Sequence, residues 1–143
     1  MPRVSAAFFV TASLFLLTGM GMGIYMGVNQ DFSLTPAHAH VNLLGWATLG
    51  IYGAFYGVAR AGHSLRLAWA HFILSTAGAL MMPLGLALNI AIDETPAYHA
   101  ITDVGVILSL IGLLIFVLSV FRMLLGQTAS AGLTPEPQAV AAE

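Results

Sequence analysis

Four long apolar stretches fill most of this chain, at roughly 4–28, 36–59, 65–92 and 98–125, and they decide what it can fold into. A hydrocarbon core takes about 20 apolar residues per spanning helix. In lipid every backbone amide and carbonyl must be satisfied internally, so such stretches become helices. Each one stops where polar or helix-breaking residues gather, at "NQDFS", "RAGHS", "DETP" and "GQTASAG". Charged side chains make up only 7% of the 143 residues, against about 25% in a soluble domain. That is too little charge to cover a folded surface in water. The expected fold class is all-α, a four-helix transmembrane bundle over 1–125. Residues 126–143 are small, polar and proline-containing, and are predicted to be a disordered cytoplasmic tail.

Composition also excludes several functions. The net charge is -2 with no basic run, so no nucleic-acid partner is expected. The absence of cysteine removes disulfides, thiolate catalysis and thiolate metal sites together. Ser5, Ser13, Ser75 and Ser109 have no base in a catalytic arrangement, which argues against nucleophilic hydrolysis. "GMGMG" lies inside a span with no Lys-Ser/Thr after it, so it is not a phosphate loop. An Ala-x-Ala at Ala37–Ala39 lies well beyond the first apolar run, which is itself too long for a signal peptide; that run is expected to stay as a helix.

The positive charges orient the bundle. Arg3, Arg60, Arg66 and Arg122 fall at the N-terminus, in and beside the second loop and at the end of the fourth span, while the other two loops carry Asp31, Asp93 and Glu94. The positive-inside rule then predicts both termini in the cytoplasm of a bacterial-type inner membrane. Small residues mark the packing faces: Gly19, Gly23 and Gly27, then Gly53 and Gly57, then Gly105 and Ser109. Such faces admit a second backbone, within the bundle or from another copy, so a homo-oligomer is expected. Pro83, with Gly85 close by, predicts a kink in the third helix.

The segment "TPAHAHVNLLGW", residues 35–46, opens the second span. Thr35 reads as a helix cap with Pro36 at the first helical position. Residues two apart on an α-helix are separated by about 200°, so His38 and His40 should point to opposite sides and serve different sites. On α-helical phase His38 shares its face with Asn42, Gly45, Tyr52 and Tyr56, and His40 with Leu44, Ala47 and Ile51. His99 and Asp103 lie one turn apart at the outer start of the fourth helix, with Asp93 and Glu94 beside them and Asn89 ending the third. Ionisable groups within membrane helices mark functional sites by default. His71 lies about 20 Å deeper and is expected in the hydrated interfacial belt beside Trp69 and Arg66. His63 is expected to be solvated.

The run Ala37–Arg60, "AHAHVNLLGWATLGIYGAFYGVAR", resembles the tenth helix of haem–copper oxidase subunit I, nearest the cbb-type and nitric oxide reductase branches. The H-x-H, the Gly-Trp after it, a mid-helix glycine and a tyrosine near the inner end carry the likeness. The resemblance implies that His38 is a ligand of a high-spin haem and His40 of a low-spin haem. It also makes the chain similar to one four-helix third of that subunit. The family's His-Pro-Glu segment and adjacent His-His pair are missing, so the copper ligands are missing and oxygen reduction by this chain alone is not expected.

Beside a structural four-helix membrane subunit with no cofactor, which the packing faces alone would permit, two functional readings follow. One is a haem b protein, transferring electrons or binding oxygen or nitric oxide, with His38, His40, His99 and Asn42 around the cofactor, an oligomeric state and an external redox donor. The other is a non-haem zinc, copper or iron site built from His38, His40, His99 and Asp103 at the outer face, as in a sensor, metal-handling or assembly protein.

Overall fold

The computed structural model describes residues 1–59 and 64–131, with side chains to residue 125. The described residues are helical throughout apart from short turns: α1 is Arg3–Asn29, α2 Thr35–His40, a π-helix Val41–Thr48, α3 Leu49–Val58, α4 Leu65–Ala91 and α5 Pro96–Ala131. Backbone angles stay right-handed helical at the α2–π and π–α3 joins, so residues 35–58 form one continuous rod. The four predicted spans are therefore four helical rods whose starts agree with the sequence to within two residues. The last continues to Ala131, past the expected boundary at Leu125, because "GQTASA" contains no proline and its Gly126 alone does not stop a helix. Residues 132–143 of the predicted tail, together with Arg60 and His63, lie outside the described residues.

Three rods are long and apolar enough to cross a membrane: Arg3–Asn29, Leu65–Ala91 and Pro96–Leu125. Their outward surfaces are apolar, with Leu17, Ile24, Ile73 and Leu114 each about 60% exposed. A soluble protein does not expose a surface of that kind over most of its area. A lipid environment would cover it without cost.

The rods run up and down. Phe8 of α1, Tyr56 of α3, His71 of α4 and Phe116 of α5 pack at one level, which places the start of α1, the end of α3, the start of α4 and the end of α5 at the same end. The α1–rod pair is zipped by alternating small and large residues. A Cβ on Gly19 would lie 2.5 Å from Asn42 Oδ1, one on Gly23 3.3 Å from His38 Cε1, and one on Gly53 3.1 Å from Phe8 Cβ. Ser5 crosses the same seam, its hydroxyl donating to the Gly53 carbonyl at 2.7 Å.

The α4–α5 pair comes closer still. A Cβ on Gly78 would lie 2.6 Å from the Ser109 amide nitrogen, and one on Gly85 2.6 Å from that of Thr102. Gly105 sits against the backbone of Met82, and Gly112 against Ser75. Glycine allows this approach because nothing projects between the backbones. Most of the predicted small-residue faces are thus occupied inside the protomer. Gly27, by contrast, has open space around it, and so do Gly21 and Gly50. α4 runs unbroken through the buried Pro83. At the α4–α5 turn, Asn89 accepts a hydrogen bond from the Thr95 amide at 3.4 Å.

The π-helix changes the phase of the rod. A π-turn closes i→i+5 bonds and holds one more residue than an α-turn; the Thr48 hydroxyl reaches the carbonyl of Leu43, five residues back, at 2.8 Å. It therefore acts as a one-residue insertion and rotates everything after it by about 100°. Straight α-helical phase predicted Tyr52 and Tyr56 on the face of His38. Instead Gly53 and Gly57 take that face against α1, and the two tyrosines turn toward α4 and α5.

Candidate functional site

The histidine end of the rod is built on α2. Thr35 is the first helical residue rather than the cap, since its hydroxyl donates back to the Phe32 carbonyl at 2.6 Å. Pro36 follows within the first turn, where a missing N–H is harmless. This proline leaves its own carbonyl one turn below His40, and His40 Nδ1 lies 2.7 Å from that oxygen. A carbonyl only accepts, so the neutral ring carries its proton on Nδ1 and leaves the Nε2 lone pair free. His40 is partly exposed, and its Nε2 makes no hydrogen bond among the described residues. An imidazole held by a backbone carbonyl at one nitrogen and open at the other is arranged as a metal-ligating histidine is.

His38 is placed differently. Its ring faces Gly23 of α1. The Asn42 amide donates to the His38 carbonyl at 2.9 Å and lies 3.4 Å from His38 Nε2. Nδ1 is buried with no partner among the described residues. Asn42 in turn fills the space above Gly19. His38 and Asn42 therefore act as one unit that docks the top of the rod onto α1. The two histidines address different surroundings, as their spacing predicted: the unpartnered nitrogen of His38 is buried, whereas His40 is partly exposed with Nε2 unbonded among the described residues.

His99 and Asp103 lie at the same end of the bundle, at the start of α5. His99 Nε2 contacts Glu94 Oε1 at 3.2 Å, with both side chains more than half exposed. Asp103 is exposed. Among the described residues no group of three or more His, Asp or Glu side chains converges as a metal site. His38, His40, His99 and Asp103 share an end but not a centre.

Asp31, in the α1–α2 loop, accepts from the Ser33 amide at 3.0 Å. Hydrogen bonding from Ser33 holds its carboxyl below the ordinary 3.8.

At the opposite end the sequence reading of His71 is corrected. The ring is fully buried rather than hydrated at the interface. Its Nδ1 and the Tyr56 hydroxyl are 3.0 Å apart, while Nε2 is without a partner among the described residues. Tyr52, Phe8 and Phe116 surround it, with ring centroids 4.4, 5.3 and 6.2 Å away. The π-turn is the reason, because it swings Tyr52 and Tyr56 into α4. Beside this cluster, a cavity of about 230 Å³ lies between the π-helix and the α4–α5 seam, lined by Thr48, Tyr52, Ser75, Ser109 and apolar side chains.

Comparison with known families, with curated proteins and with solved structures gives no match. The oxidase likeness rests on the run Ala37–Arg60 and nothing else links the chain to that superfamily.

Proposed function

We propose that this is a haem b-binding integral membrane protein in which His40 is an axial ligand. In this reading it works as an oligomer, transferring electrons or binding a small gas, and it is not a complete oxidase. One observation carries the reading: the Pro36 carbonyl fixes the His40 tautomer and leaves Nε2 free. The H-x-H likeness supports it.

The donor set fits haem in part. Neutral imidazole is a proper iron ligand, and the apolar outer surface around α2 suits a macrocycle. Neither the cavity beside Tyr52 nor the shallow one at Met1, Ser5 and Gly57 is lined by a histidine. The group would therefore be held on the outside of the rod, where a second copy would cover it. When bound, haem would supply a reversible one-electron couple or an open coordination position. The chain's own contribution is to hold the His40 ring, through Pro36, at a fixed orientation and at one depth. His38 and Asn42 position that helix end against α1.

Both termini are proposed to face the cytoplasm, since Arg3, Arg66 and Arg122 gather at one end of the bundle while Asp31, Asp93 and Glu94 lie at the other. A reduced-minus-oxidised optical spectrum of the purified protein, with metal analysis of the same sample, tests the function. Sharp b-type bands that disappear in His40→Ala are expected, while His99→Ala keeps them. A colourless protein that stays so after haem is supplied would overturn the reading, and bound zinc or copper would replace it with a non-haem site.

A further inference from the structure

One carboxyl faces the wrong way for a membrane helix. Gly105 and Gly112 turn α5 toward α4, and Asp103, two residues before Gly105, points about 200° away from that seam. It is exposed on the outward face of α5, in line with the exposed Ile107, Leu110 and Leu114. Asp103 makes no hydrogen bond or ion pair among the described residues; His99, one turn further out, contacts Glu94 instead.

Its depth follows from the register of the helices. Phe8 and Phe116 both pack on His71, and equal lengths of α-helix, about 20 Å, lead from Phe8 to Gly21 and from Phe116 back to Asp103. Gly21 and Asp103 therefore share a level. Gly19 meets Asn42 and Gly23 meets His38, which brackets His40 at the same level. α1 continues about 12 Å further, to Asn29. Its 27 residues span about 40 Å, against about 30 Å of hydrocarbon. In a bilayer that α1 crosses centrally, His40 and Asp103 both lie about 7 Å inside the apolar core.

An ionisable side chain at that depth ordinarily faces the bundle interior or pairs with another. Asp103 does neither within the chain, and His40 Nε2 is likewise unbonded among the described residues. The two are complementary, but α4 packs against both α2 and α5 while Asp103 points away from α4, so they cannot meet within one copy. We propose that the chain self-associates head to tail, the His40 face of one copy docking on the Asp103 face of the next. His40 keeps its Nδ1 proton on the Pro36 carbonyl, and one further proton is shared between Nε2 and the partner's Asp103 carboxyl. The pair has no net charge wherever that proton sits, which suits apolar surroundings. The exposed Leu43 on one face and Ile107 on the other close the contact one turn further in. A head-to-tail contact satisfies every such pair only in a closed ring. The pairing belongs to the haem-free protein and does not rest on the haem reading, since iron and the carboxyl would compete for one nitrogen.

The test uses the full-length protein, prepared without haem, in phosphatidylcholine vesicles. Donor- and acceptor-labelled copies report association by energy transfer as lipid is added. His40→Leu and Asp103→Leu should each weaken association about 3- to 20-fold, as loss of an interhelical polar pair in a membrane does. Exchanging the pair, His40→Asp with Asp103→His, should restore it, while either half of the exchange alone should not. The chain has no cysteine, so oxidative cross-linking identifies the faces: Leu43→Cys copies mixed with Ile107→Cys copies should form a disulfide dimer, and neither should do so alone. All the substituted side chains lie on outer faces, so the protomer fold is retained, and unchanged far-ultraviolet circular dichroism verifies it. Association indifferent to both groups, no rescue by the exchange, or equal cross-linking of Ile107→Cys with itself would overturn the proposal. The haem spectrum is a separate measurement on loaded protein, so the two readings fail independently.

Discussion

Gly105→Ala is the sharpest test of how the bundle is held together. A methyl group there would contact the Met82 amide nitrogen and come within 2.6 Å of Met82 Cα, whereas ordinary contact begins at 3.4 Å. The obstacle is backbone, so no rotamer change relieves it. α5 has to move off α4 by at least about 0.8 Å, the difference between those two distances, since the amide nitrogen is nearer still. A gap of that size forfeits between a quarter and a half of the local dispersion energy. Overpacking of this kind costs about 1–3 kcal/mol, and a backbone clash belongs at the upper end. Alanine's better helix propensity returns about 0.8–1 kcal/mol. The net loss is about 2 kcal/mol. Gly21→Ala and Gly50→Ala meet nothing within 4 Å, so they should be neutral or slightly stabilising. Unfolding in mixed micelles by added dodecyl sulfate, followed by circular dichroism, measures all three. Equal shifts for Gly105→Ala and Gly21→Ala would refute the close seam.

Other outcomes follow from the same geometry. Tyr56→Phe should destabilise by about 1–3 kcal/mol, because His71 then has no hydrogen-bond partner among the described residues; adding His71→Leu should recover part of that loss, and strict additivity in the double-mutant cycle would contradict the pairing. Deleting Leu43, which is 63% exposed, should convert the π-turn to an α-turn and leave the Tyr56–His71 contact in place. Deleting the equally exposed Ile73 of α4 should instead rotate half of that helix out of its seam; the two deletions are compared by the same unfolding assay, and equal damage would count against the inserted-residue account. The Asp31 carboxyl should titrate below 3.8 by NMR. Its folded value is depressed, so its contribution to the loop is complete above the unfolded value and lost as pH falls through the folded one; a midpoint at or above 3.8 would disprove the Ser33 bond.

Much of the architecture was legible in the residues. Runs of apolar side chains ended by "NQDFS" and "DETP" located the rods almost to the residue, because in lipid hydropathy and helix length are the same constraint. Glycine spacing located the faces, though not their partners: Gly19 and Gly23 meet Asn42 and His38 of the same chain, where a second copy was equally compatible with the pattern. What stayed hidden was the π-turn. Nothing in "VNLLGWAT" signals an extra residue, and what accompanies it is a tertiary contact, Gly45 on Phe15, that the segment's own sequence does not show. From that one omission came the misplaced tyrosines; His71 was placed at the interface from its depth and its neighbours Trp69 and Arg66, which say nothing of the rings that bury it. At the other end, the spacing of His38 and His40 gave their divergence, but only Pro36 and Asn42 distinguish the free ring from the engaged one.

The two seams also bear on how the chain enters the membrane. α1 with the rod, and α4 with α5, each join neighbours in sequence across a short turn, and each is closed by contacts of its own along much of the pair. In a membrane such a unit would insert as a helical hairpin that satisfies its close-packing faces before the other pair follows. The Phe8–Tyr56–His71–Phe116 cluster is then the late event, the contact through which two finished hairpins recognise one another. Separate expression of residues 1–59 and 64–143 in one cell should therefore reassemble the bundle. The buried histidine would be its lock.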